Sequence, residues 1–124
     1  VTDQEAIARE IVDSAFAVHS TLGPGLLESV YEQCLAAELN FRDVPVVRQL
    51  PVPVIYRDVR MDAGFRIDMV VGGMVVVEVK AAEKILPIHE AQLLTYLKLS
   101  GYRLGFLINF NVPLIKDGIR RRIR

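Results

Sequence analysis

Asp68, Glu78 and Lys80 are the side chains of this sequence whose types and spacing could act together. Two carboxylates meeting at one patch offer hard oxygen ligands to a divalent cation such as Mg²⁺, which would relieve their mutual repulsion. An amine two residues from one of them adds a positive charge at the same place. Whether the three meet depends on the register of the segment that carries them, FRIDMVVGGMVVVEVKA, residues 65–81.

That segment reads as two strands around a glycine pair. Alternate residues of a strand share a face, so Phe65, Ile67, Met69 and Val71 oppose Arg66, Asp68 and Val70. Likewise Val75, Val77 and Val79 oppose Val76, Glu78 and Lys80. A two-residue Gly72-Gly73 turn would pair Asp68 with Val77 and send Asp68 and Glu78 to opposite faces. A three-residue loop, Gly72-Gly73-Met74, pairs Val71 with Val75, Ile67 with Val79, and Asp68 with Glu78. Only this register keeps both apolar sets on one side, and it is the one predicted. Its cost is a facing pair of like charges, partly offset by Lys80 and Arg66. A solvated strand face with mixed charges is the plain alternative. The almost unbroken apolar runs Met69–Val71 and Met74–Val77 favour strands covered on both sides, whose terminal charges lie in a cleft.

The elements around this hairpin follow from periodicity and breakers. Thr2 or Asp3 can cap a first helix, in which Ile7, Ile11, Ala15 and Val18 recur at helical spacing up to Gly23-Pro24-Gly25. A second helix is predicted over about residues 26–41. Residues 46–59 are β-rich but contain Pro51 and Pro53, whose missing N–H groups confine the segment to a sheet edge. Pro87 and His89 open another helix, ended by Gly101; residues 103–110 read as a short buried strand, followed by a basic tail. The predicted fold is one α/β domain over residues 1–124, with a mixed sheet flanked by helices.

Composition excludes several classes. With 124 residues, 52% hydrophobic and 24% charged, the chain can build a core without staples. A single cysteine rules out an intrachain disulfide framework and fits a reducing, cytoplasmic setting. No apolar run approaches membrane-spanning length, and the first ten residues lack a signal-peptide layout. Fifteen basic and fifteen acidic residues cancel, so no global field advertises a polyanionic partner. The charge is uneven, though. Arg103, Lys116, Arg120, Arg121, Arg122 and Arg124 face only Asp117 in the last stretch.

Asp68 followed by Glu78-Val79-Lys80 resembles the PD-(D/E)XK nuclease signature, whose usual core order is αβββαβ. Gln92 and Tyr96 resemble the QxxxY element of the exonuclease-like branch. Gly25, Glu28 and Tyr31 match GxxExxY, the hallmark of a bacterial family placed in that superfamily. Ile67 stands where the signature has proline. The resemblance covers essentially the whole chain. It implies a restriction-endonuclease-like core with an extra N-terminal helix, and Mg²⁺- or Mn²⁺-dependent hydrolysis of nucleic acid, with DNA the expected substrate. By it, Asp68 and Glu78 bind the metal, with the Val79 carbonyl and Glu28 as further ligands. Lys80 orients the attacking water and offsets transition-state charge, and Gln92 braces the site. Tyr31, Tyr96, Arg120, Arg121 and Arg122 are candidate substrate contacts, and a homodimer is expected.

The plain readings stand beside these roles. Glu28 could be a surface residue favoured by a helix N-terminus, and Gln92 and Tyr96 the polar edge of a packed helix. Tyr31 could be a packing residue. His19 and His89 lack ligand spacing for zinc, and Cys34 has no local histidine to activate it. Gly23-Pro24-Gly25 lacks the Lys-Ser/Thr ending of a phosphate loop. The main rival function is a catalytically inactive nucleic-acid-binding or dimerisation module on the same fold. A glycosidase using Glu28 and Glu78 ranks behind, because Lys80 would lower rather than raise the pKa of a neighbouring acid.

Overall fold

The computed structural model describes residues 3–124. Helix α1, Gln4–Leu22, begins where Asp3 accepts a hydrogen bond from the Ala6 N–H at 2.7 Å. This satisfies one of the free N–H groups of the first turn; Thr2, the other expected cap, lies outside the described residues. Its stripe of Ile7, Ile11, Ala15 and Val18 is buried as the spacing predicts. Helix α2 runs Glu28–Phe41, starting two residues later than expected. No side chain caps it. Instead the Tyr31 hydroxyl donates to the Gly23 carbonyl at 2.6 Å and accepts from the Leu26 N–H at 3.1 Å, pinning the Gly-Pro-Gly junction.

Strands β1, Val46–Tyr56, β2, Val59–Val71, and β3, Val75–Lys80, precede helix α3, Pro87–Ser100. Strand β4, Leu104–Asn109, a 3-10 turn, Ile115–Gly118, and strand β5, Ile119–Ile123, complete the chain. The sheet has the order β1-β2-β3-β4-β5, with β3 and β4 parallel and every other pair antiparallel. The αβββαβ core with an extra helix before it is therefore present, and β1 lies at an edge as its prolines require. Helices α1 and α2 cover one face of the sheet over Met69, Val71, Val75, Val77 and Phe106. On the other face Leu93 and Leu97 of α3 pack over Val70, Val76 and Leu107. Burying each such aliphatic side chain stabilises the fold by roughly 1.5–3 kcal/mol.

Two expectations are corrected. Residues 46–59 do not form a single strand: the chain reverses at Arg57-Asp58, with Arg57 at φ 53°, and Val59 already belongs to β2. No glycine marks this turn. The segment after Pro113 is likewise no tail. Its arginines alternate across β5 as Arg121 pairs with Glu5 of α1 and Arg122 with Glu90 of α3, so acids on both helix layers offset the run of positive charge.

The loop between β2 and β3 matches its prediction. Val71 pairs with Val75 and Met69 with Val77 around Gly72-Gly73-Met74. Gly72 has φ 61°, and a Cβ there would strike the Ile7 side chain of α1, so glycine is required on both counts.

Candidate functional site

The β2–β3 ladder stops at Met69 and Val77. The expected backbone pairs Asp68–Glu78 and Ile67–Val79 are absent from it, because the two carboxylates take over the bonding. The Asp68 N–H donates to Glu78 Oε2 at 2.8 Å, and the Val79 N–H donates to Asp68 Oδ2 at 2.9 Å. Each acid thus has one oxygen fixed by the opposite strand's main chain. Among the described residues no hydrogen bond reaches Glu78 Oε1, and Asp68 Oδ1 has only a long contact, 3.4 Å, from the Gln49 amide.

The side chains also depart from simple alternation at this level. Met69 and Val71 pack in the core under α1 and α2, whereas Phe65 and Ile67, of the same parity, pack under α3. On β1, Val46 lies with the first group and Leu50 and Val52 with the second. Both strands exchange faces at one step, between Gln49 and Asp68. Gln49 makes this possible with a left-handed backbone, φ 53°, in the middle of a strand. The predicted common face of Phe65, Ile67, Met69 and Val71 is therefore divided at Asp68.

Electrostatics sharpen the picture. Glu78 is only 5% exposed. Burial, and then the charge of Asp68, push its carboxyl from 4.5 up to about 8. Burial likewise raises Asp68, and the charges of Glu32 and Glu28 add to it. Lys80 has the strand parity of Glu78, and its charge opposes the rise at that residue. The Lys80 carbonyl accepts from the Phe110 N–H at 3.0 Å. Buried Asn109 then fixes the following turn by accepting from the Ala82 N–H and donating to the Ala82 carbonyl.

Glu28 is exposed in the first turn of α2, and its charge acts on Asp68. Tyr96 is half-buried against Phe65, ring centroids 4.3 Å apart. Burial, with the charges of Glu78 and Asp68, raises its phenol. Gln92 lies exposed one turn before it. Tyr31 does not join the group. It is fully buried, stacked on Phe110, with its hydroxyl bonded within the helix junction. Arg120 aligns through Leu107 with Glu78, two strands away and so about 10 Å along the sheet. Arg121 and Arg122 are held in their ion pairs with Glu5 and Glu90.

Two residues were missed. Glu32, one turn after Glu28 on α2, is buried and accepts from Arg48 at 3.0 Å and from the Gln49 amide at 3.1 Å. The spacing of Glu28 and Glu32 could have signalled one acidic helix face. Nothing in the residue type signals Gln49, whose place follows from its backbone.

Among the described residues no three His, Cys, Asp or Glu side chains form a cluster able to hold a metal ion. The donor set nevertheless suits a hard dication: two carboxylates, each with an oxygen free of short hydrogen bonds, one of which resists ionisation because of its burial and then the charge of the other. No helix of the described chain is long and apolar enough to cross a membrane. In a comparison with known families, residues 5–122 match the model of the PD-(D/E)XK nuclease superfamily. No curated protein and no solved structure matches.

Proposed function

Since the chain belongs to the PD-(D/E)XK nuclease superfamily, we propose that it is an active, metal-dependent phosphodiesterase acting on nucleic acid, with DNA as its substrate. One observation carries this reading: the reciprocal bonding of Asp68 and Glu78, which pins one oxygen of each acid and leaves the other for a cation. The spacing of Gly25, Glu28 and Tyr31 supports reading the chain, within the superfamily, as a member of the GxxExxY group.

Asp68 and Glu78 are the ligands for Mg²⁺ or Mn²⁺, with the Val79 carbonyl and Glu28 completing the set. A bound dication supplies polarisation of the scissile phosphate and a lower pKa for water. Glu78 must give up its proton when the cation enters, so loading strengthens with pH. Lys80 contributes a fixed positive charge beside the acids, where it orients the attacking water and offsets charge gathering on the phosphate. Tyr96 keeps its phenolic proton, because burial and the neighbouring acids oppose its loss, and can donate that proton in a hydrogen bond to a phosphate oxygen. Gln92, on the same helix face, braces the substrate side. Arg120, two strands across the sheet from Glu78, offers a positive charge to a neighbouring phosphate.

Calorimetric titration with Mn²⁺, paired with cleavage assays on single- and double-stranded DNA and RNA, tests the proposal. Wild type should bind Mn²⁺ and cleave, and Asp68→Asn should do neither. Lys80→Ala should retain metal binding while cleavage falls about 10²–10³-fold, the usual loss for one transition-state charge donor. A wild type that binds no metal defeats the hydrolytic reading. Binding without cleavage of any substrate supports an inactive nucleic-acid-binding or dimerisation module instead.

A further inference from the structure

Gln49 sits opposite Asp68 in the β1–β2 register, between the pairs Arg48–Met69 and Leu50–Ile67. Its φ of 53° lies in the left-handed region, which strains a residue carrying a Cβ. Two other non-glycine residues share this sign, but Asp43 follows the end of α2 and Arg57 forms the hairpin turn. Gln49 alone among the described residues adopts it inside a strand, with paired residues on both sides. Strain of this kind persists where the surrounding structure imposes it, and it concentrates at working sites.

The strained backbone has a definite consequence. It carries the carboxamide off the strand's normal alternation to a point where one NH₂ group serves two acids. The amide nitrogen lies 3.1 Å from both oxygens of Glu32 and 3.4 Å from Asp68 Oδ1. The amide must present nitrogen here, since its oxygen would face three carboxylate oxygens. Arg48 also bonds Glu32 Oε2 and supplies it with a positive charge. The cationic partner therefore goes to the helix acid, and only a neutral donor touches the strand acid. A lysine or arginine at position 49 would compete with a dication for Asp68; an amide orients the carboxylate without neutralising it.

On the metal-dependent reading given above, we propose that Gln49 is a positioning residue for the metal-binding acids. Its amide ties Glu32 to Asp68 and sets the angle at which Asp68 Oδ1 is offered to the cation. Its left-handed backbone is the device that delivers the amide. Glu32 belongs to the same unit as the anchor that fixes the amide from the helix side.

Two variants separate backbone from amide. Gln49→Gly relieves the left-handed strain and removes the amide. Gln49→Asn keeps an amide on a residue that tolerates this φ but withdraws it by one methylene. In chelator, the relieved strain should offset the lost hydrogen bonds to Glu32, so both should melt within a few degrees of wild type. Both should nonetheless bind Mn²⁺ about 10-fold more weakly and cleave about 10–100-fold more slowly at a given Mn²⁺ concentration, with KM for nucleic acid unchanged. A merely structural glutamine would lower melting temperature and activity together, and that outcome overturns the proposal. So does a wild type that cleaves beside a Gln49→Gly variant with equal Mn²⁺ affinity and rate, which removes the positioning role and leaves the nuclease reading intact. A wild type that binds no Mn²⁺ defeats the nuclease reading, and the positioning role with it.

Discussion

Replacing Glu78 by glutamine should stabilise the metal-free protein at alkaline pH while abolishing metal binding. Glu78 is buried, and the folded chain holds its proton up to about pH 8, against 4.5 for a free carboxyl. Between those values folding takes up a proton, so stability is lost as pH rises through the window. At about 1.4 kcal/mol per pH unit, the loss reaches at most about 5 kcal/mol above pH 8 and vanishes near pH 4. Glutamine carries no charge at any pH and can still accept from the Asp68 N–H, so it escapes the penalty. Thermal melts in chelator should show the variant and wild type close together at pH 4.5. By pH 9 they should separate by roughly 10 °C, with the variant higher, at a few degrees per kcal/mol for a domain of this size. Mn²⁺ should reverse the order at pH 9, since only wild type gains a ligand for its carboxylate. A separation that stays constant with pH, or widens toward acid, refutes the claim that an unrelieved carboxylate is buried here.

Tyr31→Phe should cost about 2 kcal/mol in urea unfolding, because two hydrogen bonds at the Gly-Pro-Gly junction lose their common partner. Its Mn²⁺ affinity should be unchanged; a selective loss of metal binding without a stability change would return Tyr31 to the site. Gly118→Ala should destabilise by about 3 kcal/mol, since its Cβ would fall on the Asn109 carbonyl oxygen, which is main chain and cannot swing away. A change below about 1 kcal/mol would mean that the 3-10 turn does not pack closely on β4.

The frame of this fold was legible because its signals are local. Helical spacing in α1, two prolines in β1, and Pro87 with Gly101 around α3 each report on a few neighbouring residues, and each was read correctly. The arginine-rich end was misread because its meaning is not local. Glu5 and Glu90 lie far away in sequence, yet they take up Arg121 and Arg122 from opposite faces of a strand. The Arg57-Asp58 reversal carries no glycine, so the sequence shows an unbroken β-rich run where the chain turns back.

The site itself was half legible, for a physical reason. Strict alternation brings Asp68, Glu78 and Lys80 to one place in principle, and it correctly selected the three-residue loop. Carried through to the end, however, alternation would pair Asp68 with Glu78 in the backbone ladder and leave two buried charges side by side with no bonding of their own. The structure avoids that cost by ending the ladder one step earlier, which frees the main-chain N–H groups of Asp68 and Val79 to hold the carboxylates. The ladder ends where the β1–β2 ribbon exchanges faces, beside a residue in a left-handed conformation that no glycine marks. The break in the pattern at Gln49 thus lies beside the buried acids, with its amide on Asp68. Sequence periodicity finds the acids, and the departure from periodicity sets how main-chain N–H groups hold their carboxylates.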